Sequence, residues 1–322
     1  MGPDGPGPRA AIDCGTNSTR LLVAAPDGSA LERRMRITRL GEGVDATRRL
    51  SPAAIARTCA VLADYRRAME RHGVRRARMV ATSALRDATN GAEFLDAARR
   101  ATGVEPEVLS GLEEGELSFA GATAGLPGAM AGPGPVLVVD IGGGSTELMA
   151  GRVGEDAGTP ADLVVRSLDI GCVRVTERYI SHDPPPPAEL DAARTAVEHQ
   201  LHRARASMPA LDPDGTLIGL AGTVSTLAAL EHGLAEYRRD RIHHSVLTRS
   251  AVVRWLGLLA HEGAAQRRTR PGMEEGRVDV IVAGVLILAS VMAIFAKEAC
   301  LVSEDDILDG LVAHGRSARW PA

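Results

Sequence analysis

The stretch Val138–Leu148 reads VVDIGGGSTEL: an apolar run closing on an acid, three glycines, then Ser-Thr-Glu opening a second apolar run. Ala11–Leu22, AIDCGTNSTRLL, makes the same device in register, with Asp13 on Asp140, Gly15 on Gly142, Ser18 on Ser145, Thr19 on Thr146 and Leu21 on Leu148, 127 residues apart. An acid that ends a strand stands at the mouth of the turn that follows. Glycines in that turn let the main chain approach an anion with no Cβ in the way, and the backbone N–H groups then point at it. The Ser and Thr hydroxyls add donors, and the carboxylate can hold Mg2+ that bridges the same anionic oxygens. Two such turns in matching register read as a phosphate clamp made by two similar halves.

Composition agrees with two halves. The chain has 322 residues, 45% of them hydrophobic, enough for two cores. Aromatic residues are only 2%, which argues against the stacking platforms of single-strand binders, and a net charge of −4 argues against a general nucleic-acid binder. Lys297 is the sole lysine, so the Gly-Lys pair of a Walker A loop is missing and the phosphate chemistry is not of that type. Cys14, Cys59, Cys172 and Cys300 are scattered without a C-x-x-C pair and read as reduced thiols of a cytosolic protein. The opening MGPDGPGPRA has no apolar core and reads as a loose leader rather than a signal peptide.

Periodicity and punctuation order the elements. Arg9–Ala25 reads as strand, loop, strand, followed by the turn Pro26-Asp27-Gly28 and a strand over Leu31–Leu40. Ser51-Pro52 caps a helix to about His72 with Ile55, Cys59, Leu62 and Met69 on one face. A strand over Arg78–Ala84 leads into a loop, SALRDATN; a helix (Ala92–Thr102), a strand (Val104–Leu109) and a helix (Glu113–Gly125) follow. Gly125–Pro135 is rich in Gly and Pro and reads as a linker. The second half gives strands to Asp140, over Thr146–Arg152 and over Leu163–Leu168, a long helix over Ala188–Met208, and a strand over Thr216–Leu220 running into a loop, AGTVST, before another helix. Val280–Ala296 is almost wholly apolar and reads as a buried helix rather than a membrane span. The expected domains are 1–125, with 303–322 packing back on it, and 135–302.

In AGTVST, Gly222, Thr223, Ser225 and Thr226 offer donors at a helix N-terminus, where anions are favoured. The three loops resemble those of the actin, hexokinase and Hsp70 ATPase superfamily. More narrowly, IDCGTNSTRLL, TSALRDATN, SGLEEGELSF, VVDIGGGSTEL and SLDIGCVRVTERY occur in the order seen in the exopolyphosphatase and guanosine pentaphosphate phosphohydrolase family. The resemblance implies an α/β chain of two ribonuclease H-like domains with an active-site cleft between them. It implies hydrolytic release of terminal orthophosphate from inorganic polyphosphate with Mg2+ as cofactor. Longer relatives carry an extra C-terminal helical region, so the expectation here is the short form. SEDDILDGL stands where many relatives have a Gly-Leu-Arg-Glu-Gly type of sequence.

Hydrolysis of a phosphoanhydride needs a positioned water, a base and neutralisation of the transferred group. Adjacent residues on a helix point about 100° apart, so only one of Glu113 and Glu114 can face a given site. The resemblance assigns the water-activating role to Glu114. Asp140 and Glu147 flank the glycine turn at the two ends of a hairpin and can reach one cation; they are expected to act in catalysis and, with Asp13, to bind the metal. Arg20 occupies the place of Glu147 in the first hairpin, so only the second carries the extra acid. Arg86 is the expected phosphate clamp, because a guanidinium takes two oxygens at once. Asn17, Ser18, Gly143, Gly144, Ser145, Gly222 and Thr223 complete the expected substrate contacts. His243-His244, with no further ligand at useful spacing, is not a metal site.

Polyphosphate and guanosine penta- and tetraphosphate stay open as ligands at this stage, and so does a non-enzymatic sensor of either. A sugar-type or acetate-type kinase on the same fold would need a nucleotide pocket and a second substrate site, for which no sequence signal is found. The expected assembly is a cytosolic homodimer that engages neither nucleic acid nor membrane.

Overall fold

The computed structural model describes residues 7–132, 134–153 and 162–314. Two compact units form, Met1–Gly121 with Ile307–Ala322 and Ala122–Asp306. In the first, five strands, β1 (Arg9–Cys14), β2 (Ser18–Ala24), β3 (Ala30–Ile37), β4 (Arg76–Ala81) and β5 (Pro106–Val108), stand in the order β3-β2-β1-β4-β5. β1, β2 and β3 are antiparallel, and β4 and β5 continue parallel to β1. The helices are α1 (Val44–Thr47), α2 (Pro52–Arg71), α3 (Ser83–Asp87), α4 (Gly91–Thr102) and α5 (Gly111–Ala124).

The second unit has α6 (Gly128–Ala131), β6 (Val136–Ile141), β7 (Thr146–Gly151), β8 (Val164–Leu168), α7 (Cys172–Tyr179), α8 (Pro187–Arg205), β9 (Leu217–Leu220), α9 (Ala221–Glu231), α10 (Arg239–Ile242), β10 (Val246–Thr248), α11 (Arg249–His261), α12 (Ala264–Arg268), α13 (Ile281–Ile294) and β11 (Ala299–Val302). Its sheet runs β10-β11-β9-β6-β7-β8. From the β8 end the order β8-β7-β6-β9-β11 repeats that of the first sheet, with β10 added antiparallel on β11. Three antiparallel strands continued by parallel ones, twice over, is the ribonuclease H-like arrangement. α14 (Ile307–His314) belongs to the first unit and packs on β1 and β2.

Alternation along the strands decides what faces each turn. In β1, Ala10, Ile12 and Cys14 join Leu62, Tyr65 and Phe94 in one core, while Ala11 faces Leu117 of α5 and Leu311 of α14. A Cβ at Gly310 would fall 2.0 Å from the Leu117 carbonyl oxygen, so glycine is what lets α14 approach α5. In β6, Leu137, Val139 and Ile141 enter the core of the second unit, which turns Asp140 to the opposite face. α13 is buried along almost its whole length and has 14 residues; among the described residues no helix is long and apolar enough to cross a membrane.

Several sequence expectations are corrected. β3 ends at Ile37, not Leu40, because residues 38–41 turn away to bond the first glycine turn. SALRDATN is not all loop: Ser83–Asp87 is a short helix, and β4 stops at Ala81. AGTVST is likewise the first turns of α9 rather than a loop, since Ala221 takes a left-handed φ of 66° and the helix starts at once. The buried stripe of α2 is Ala54, Thr58, Leu62, Tyr65, Ala68 and Met69; Ile55 and Cys59 sit at its margin. α7 (Cys172–Tyr179) has no counterpart in the sequence periodicity. The Gly/Pro-rich segment 125–135 lies within the second unit and carries α6, whereas the chain passes between units at Gly121/Ala122 and at Asp306/Ile307. Of the expected leader, residues 1–6 lie outside the described residues, as do 315–322 of the tail.

Candidate active site

The two hairpins close in the same way. Gly15 N–H donates to Ser18 O at 3.0 Å, and Gly142 N–H donates to Ser145 O at 3.0 Å. In each, the acid that ends the first strand lies directly opposite a charged residue on the second: Asp13 pairs with Arg20, and Asp140 with Glu147. Cross-strand partners share a face, so their side chains meet. Arg20 donates to Asp13 Oδ2 through Nε at 3.0 Å and Nη2 at 2.6 Å. Asp13 is therefore matched by a cation from its own hairpin.

The second hairpin sets two carboxylates opposite each other, buried to 7% and 1% residual exposure for Asp140 and Glu147. Ser167 Oγ on β8 donates to Glu147 Oε1 at 2.8 Å and fixes that side chain. Like charges directly opposite on a ladder repel, and a divalent cation held by both removes the repulsion. Hard oxygen donors suit Mg2+ or Ca2+ rather than a soft transition metal. The residues present therefore fit a divalent ion at Asp140 and Glu147. Among the described residues no three His, Cys, Asp or Glu side chains gather into a metal cluster; in the first unit Asp13 is ion-paired with Arg20.

What aims the turn amides is a second segment behind each turn. In the second unit, Cys172 N–H donates to Gly142 O at 2.9 Å, Val173 N–H to Gly143 O at 2.9 Å and Arg174 N–H to Gly143 O at 3.1 Å. The N-terminus of α7 thus takes the turn's carbonyls. In a trans peptide the C=O and the following N–H are antiparallel, so the N–H groups of Gly143 and Gly144 face away from α7, together. That makes an anion-binding concavity. In the first unit the same job falls to residues 38–41: Thr38 and Arg39 N–H donate to Asn17 O at 3.0 and 2.9 Å, and Gly41 N–H to Thr16 O at 2.8 Å. The amides of Asn17 and Ser18 are turned out in consequence. Thr16 Oγ1 and Asn17 Nδ2 are buried without a hydrogen-bond partner, as donors awaiting an anion would be.

Arg86 and Glu114 are brought together. Arg86 Nη1 donates to Glu114 Oε2 at 2.6 Å and to Leu109 O at 2.9 Å. Glu113 points elsewhere: its Oε2 accepts from Ser110 N–H and Ser110 Oγ, both at 2.8 Å, while Glu113 N–H donates to Ser110 Oγ at 3.2 Å. This is a capping box at the start of α5. The Ser110 backbone N–H, then its hydroxyl, hold the Glu113 carboxyl below the usual range.

Gly222, half-buried, and Thr223, buried, lie in the first turn of α9. A Cβ at Gly222 would fall 1.8 Å from the Arg277 Cζ, so that guanidinium lies flat against the glycine. Thr223 is buried, with its side chain turned toward Gly284 and the Cys172 thiol. Arg277, 8% exposed and bonded through Nε to Glu274 Oε2 at 2.8 Å, is a buried cation at this helix start that sequence reasoning missed. Burial pushes the Cys172 thiol up, with Arg277 acting the other way. Residues 38–41 and 171–174 were also missed as parts of the site, because their role is carried by backbone amides. The lone Lys297 is spent inside the second unit, where Nζ donates to the carbonyls of Asp212 and Gly215. His243 and His244 stack in the loop before β10, with no metal-ligand cluster among the described residues.

Comparison with known proteins agrees with this construction. The model of the Ppx/GppA phosphatase family matches residues 23–314. "Exopolyphosphatase 2" of Mycobacterium tuberculosis is 41% identical over 321 residues, covering 94% of this chain and 96% of that protein. A crystal structure of an exopolyphosphatase-like protein superposes with a TM-score of 0.87 at 36% identity, covering 97% of this chain and 98% of that one. The Aquifex aeolicus member of the Ppx/GppA family superposes with a TM-score of 0.78 at 33% identity, over 97% and 98% of the two chains. With paired acid-and-glycine hairpins in place and a family model covering most of its length, the chain belongs to the Ppx/GppA phosphatase family.

Proposed function

We infer that the chain is an exopolyphosphatase, a phosphoanhydride hydrolase that releases orthophosphate from the end of inorganic polyphosphate. The observation that carries this reading is a glycine turn with outward amides in each unit, together with, in the first unit, a glutamate held by an arginine. The name of the Mycobacterium tuberculosis relative favours polyphosphate over guanosine pentaphosphate.

In this reading the amides and hydroxyls of Asn17, Ser18, Gly143, Gly144 and Ser145 bind phosphate oxygens, with Arg277 adding positive charge at the start of α9. Glu114 orients a water and takes its proton as the water oxygen bonds to the terminal phosphorus. The bond from that phosphorus to the bridging oxygen breaks, and the electrons leave on the shortened chain. Arg86 keeps the Glu114 carboxylate in one orientation and contributes charge against the phosphoryl group. Such transition states are loose, so positioning and charge do most of the work. Asp140 and Glu147 would hold Mg2+, which when bound neutralises charge on the phosphate oxygens.

Four cysteines that form no disulfide agree with a reducing compartment, and the proposal extends to a cytosolic homodimer. The test is phosphate release, with Mg2+, from short and long polyphosphate, guanosine pentaphosphate and ATP in parallel. Polyphosphate should be the best substrate, and adding ADP should yield no ATP. Stoichiometric ATP formation would replace hydrolysis with transfer.

A further inference from the structure

Three carbonyls of the second glycine turn have to be held, and the backbone of α7 reaches only two. Gly142 O and Gly143 O are taken by the amides of Cys172, Val173 and Arg174. Gly144 O lies beyond them and is taken by a side chain: Arg174 Nε donates to it at 2.6 Å. Arg174 is 5% exposed, an unusual position for a guanidinium on the first turns of an eight-residue helix. Gly171, just before α7, makes the approach possible, since a Cβ there would fall 2.3 Å from Gly143 O and 2.5 Å from Gly144 N.

The peptide between Gly144 and Ser145 is the one that needs a lock. Glycine rotates through φ values closed to other residues, so a Gly–Ser peptide can flip at small cost. A flip would turn the carbonyl oxygen to where the amide N–H now points, replacing a donor to phosphate by a partial negative charge. Within the turn, Gly142 N–H to Ser145 O closes the hairpin without bonding the Gly144 carbonyl. The charge-assisted bond from Arg174 fixes it, and such bonds are about twice as strong as neutral ones.

We propose that Arg174 is a positioning residue for hydrolysis, which locks the Gly144–Ser145 peptide with its N–H toward the substrate phosphate. It acts through the turn. The proposal rests on the hydrolase reading for its effect on rate, but its structural half does not. Lysine can donate one hydrogen bond to Gly144 O and should restore part of the function; glutamine is too short to keep the distance.

The experiment compares the whole chain with Arg174→Lys and Arg174→Gln, by steady-state phosphate release from polyphosphate and by hydrogen–deuterium exchange without substrate. Arg174→Gln should lower kcat at least 10-fold and speed exchange of the amides of 142 and 172–174, whose hydrogen bonds hold the turn, while peptides from α8 and β9 keep their exchange rates. Arg174→Lys should fall between. Added guanidinium at millimolar levels should recover part of the Arg174→Gln rate. Wild-type exchange in the turn with wild-type kcat would overturn the proposal, as would faster exchange spread across the second unit, which marks a general folding defect. A wild-type chain that releases no phosphate would instead sink the hydrolase reading, and the exchange result would still decide the lock.

Discussion

Arg86 Nη1 lies 2.6 Å from Glu114 Oε2, so the residue expected to clamp phosphate and the residue expected to activate water hold each other. The pair spans from α3 to α5, with side chains 23% and 13% exposed. Arg86 is tied in turn to the Leu109 carbonyl, two residues before α5. The guanidinium is thus a strut as well as a charge, and its loss acts on both binding and the base.

For that reason Arg86→Ala should cost more than a lost phosphate contact. It should raise KM for polyphosphate and lower kcat together, whereas Arg86→Lys, keeping charge but not the two-point grip, should mainly lower kcat. Steady-state kinetics on a single polyphosphate length separates the two. A variant with raised KM and intact kcat would mean that Arg86 only binds.

Metal dependence should map to the second hairpin. Asp140→Asn and Glu147→Gln should each raise the Mg2+ concentration needed for half-maximal rate by at least tenfold, and a chelator should abolish turnover. Asp13→Asn in the first hairpin should raise that concentration less, because Asp13 is matched there by the Arg20 guanidinium. Equal metal requirements in all four proteins would contradict the assignment.

Gly171→Ala puts a Cβ 2.3 Å from the Gly143 carbonyl oxygen, backbone that cannot step aside. Overpacking of this kind costs about 1–3 kcal/mol, and here the strain falls on the turn. Thermal denaturation should show a lowered Tm, and kcat should fall. Gly128→Ala, with nothing within 4 Å of the new Cβ, is the matched control and should change neither.

Much of this was legible in the sequence. The strand-acid-glycine-strand device predicted both hairpins, because β alternation and turn chemistry are local. Ser51-Pro52 fixed the start of α2, where Ser51 Oγ does accept from Ala54 N–H. What stayed hidden was whatever depends on backbone direction or distant packing. The amides of residues 38–41 and 171–174 aim the turns, yet amides leave no mark on a sequence. Arg277 meets Gly222 only after α9 and α13 have packed in one core. α7 is too short to declare itself by period, and Gly222 reads as a ligand glycine although a guanidinium already fills the space its missing side chain leaves.

Glu113 supplies a pH signature as well as a control. Its folded carboxyl titrates below the unfolded one because Ser110 donates to the anion. Its stabilisation is therefore present above the usual glutamate pKa and fades as pH falls through the lower folded value. Glu113→Gln should cost at most about 1 kcal/mol near neutrality, the worth of an exposed cap. The difference from wild type should vanish in acid, as followed by denaturant unfolding from pH 7 downward. A penalty that persists in acid would mean that the carboxylate charge is not what the cap uses.

The measurement closest to the central claim is kcat for phosphate release by Glu114→Gln and Glu113→Gln side by side. Glu114→Gln keeps the shape and removes the proton acceptor, so turnover should drop by about 10²–10⁴-fold, the usual worth of a positioned general base. Polyphosphate affinity should hold or tighten, since an anion near the substrate is gone. Glu113→Gln, one residue away and bonded to Ser110, should stay within about threefold of wild type. A mild Glu114→Gln beside a crippled Glu113→Gln would contradict the account, and so would full activity in both.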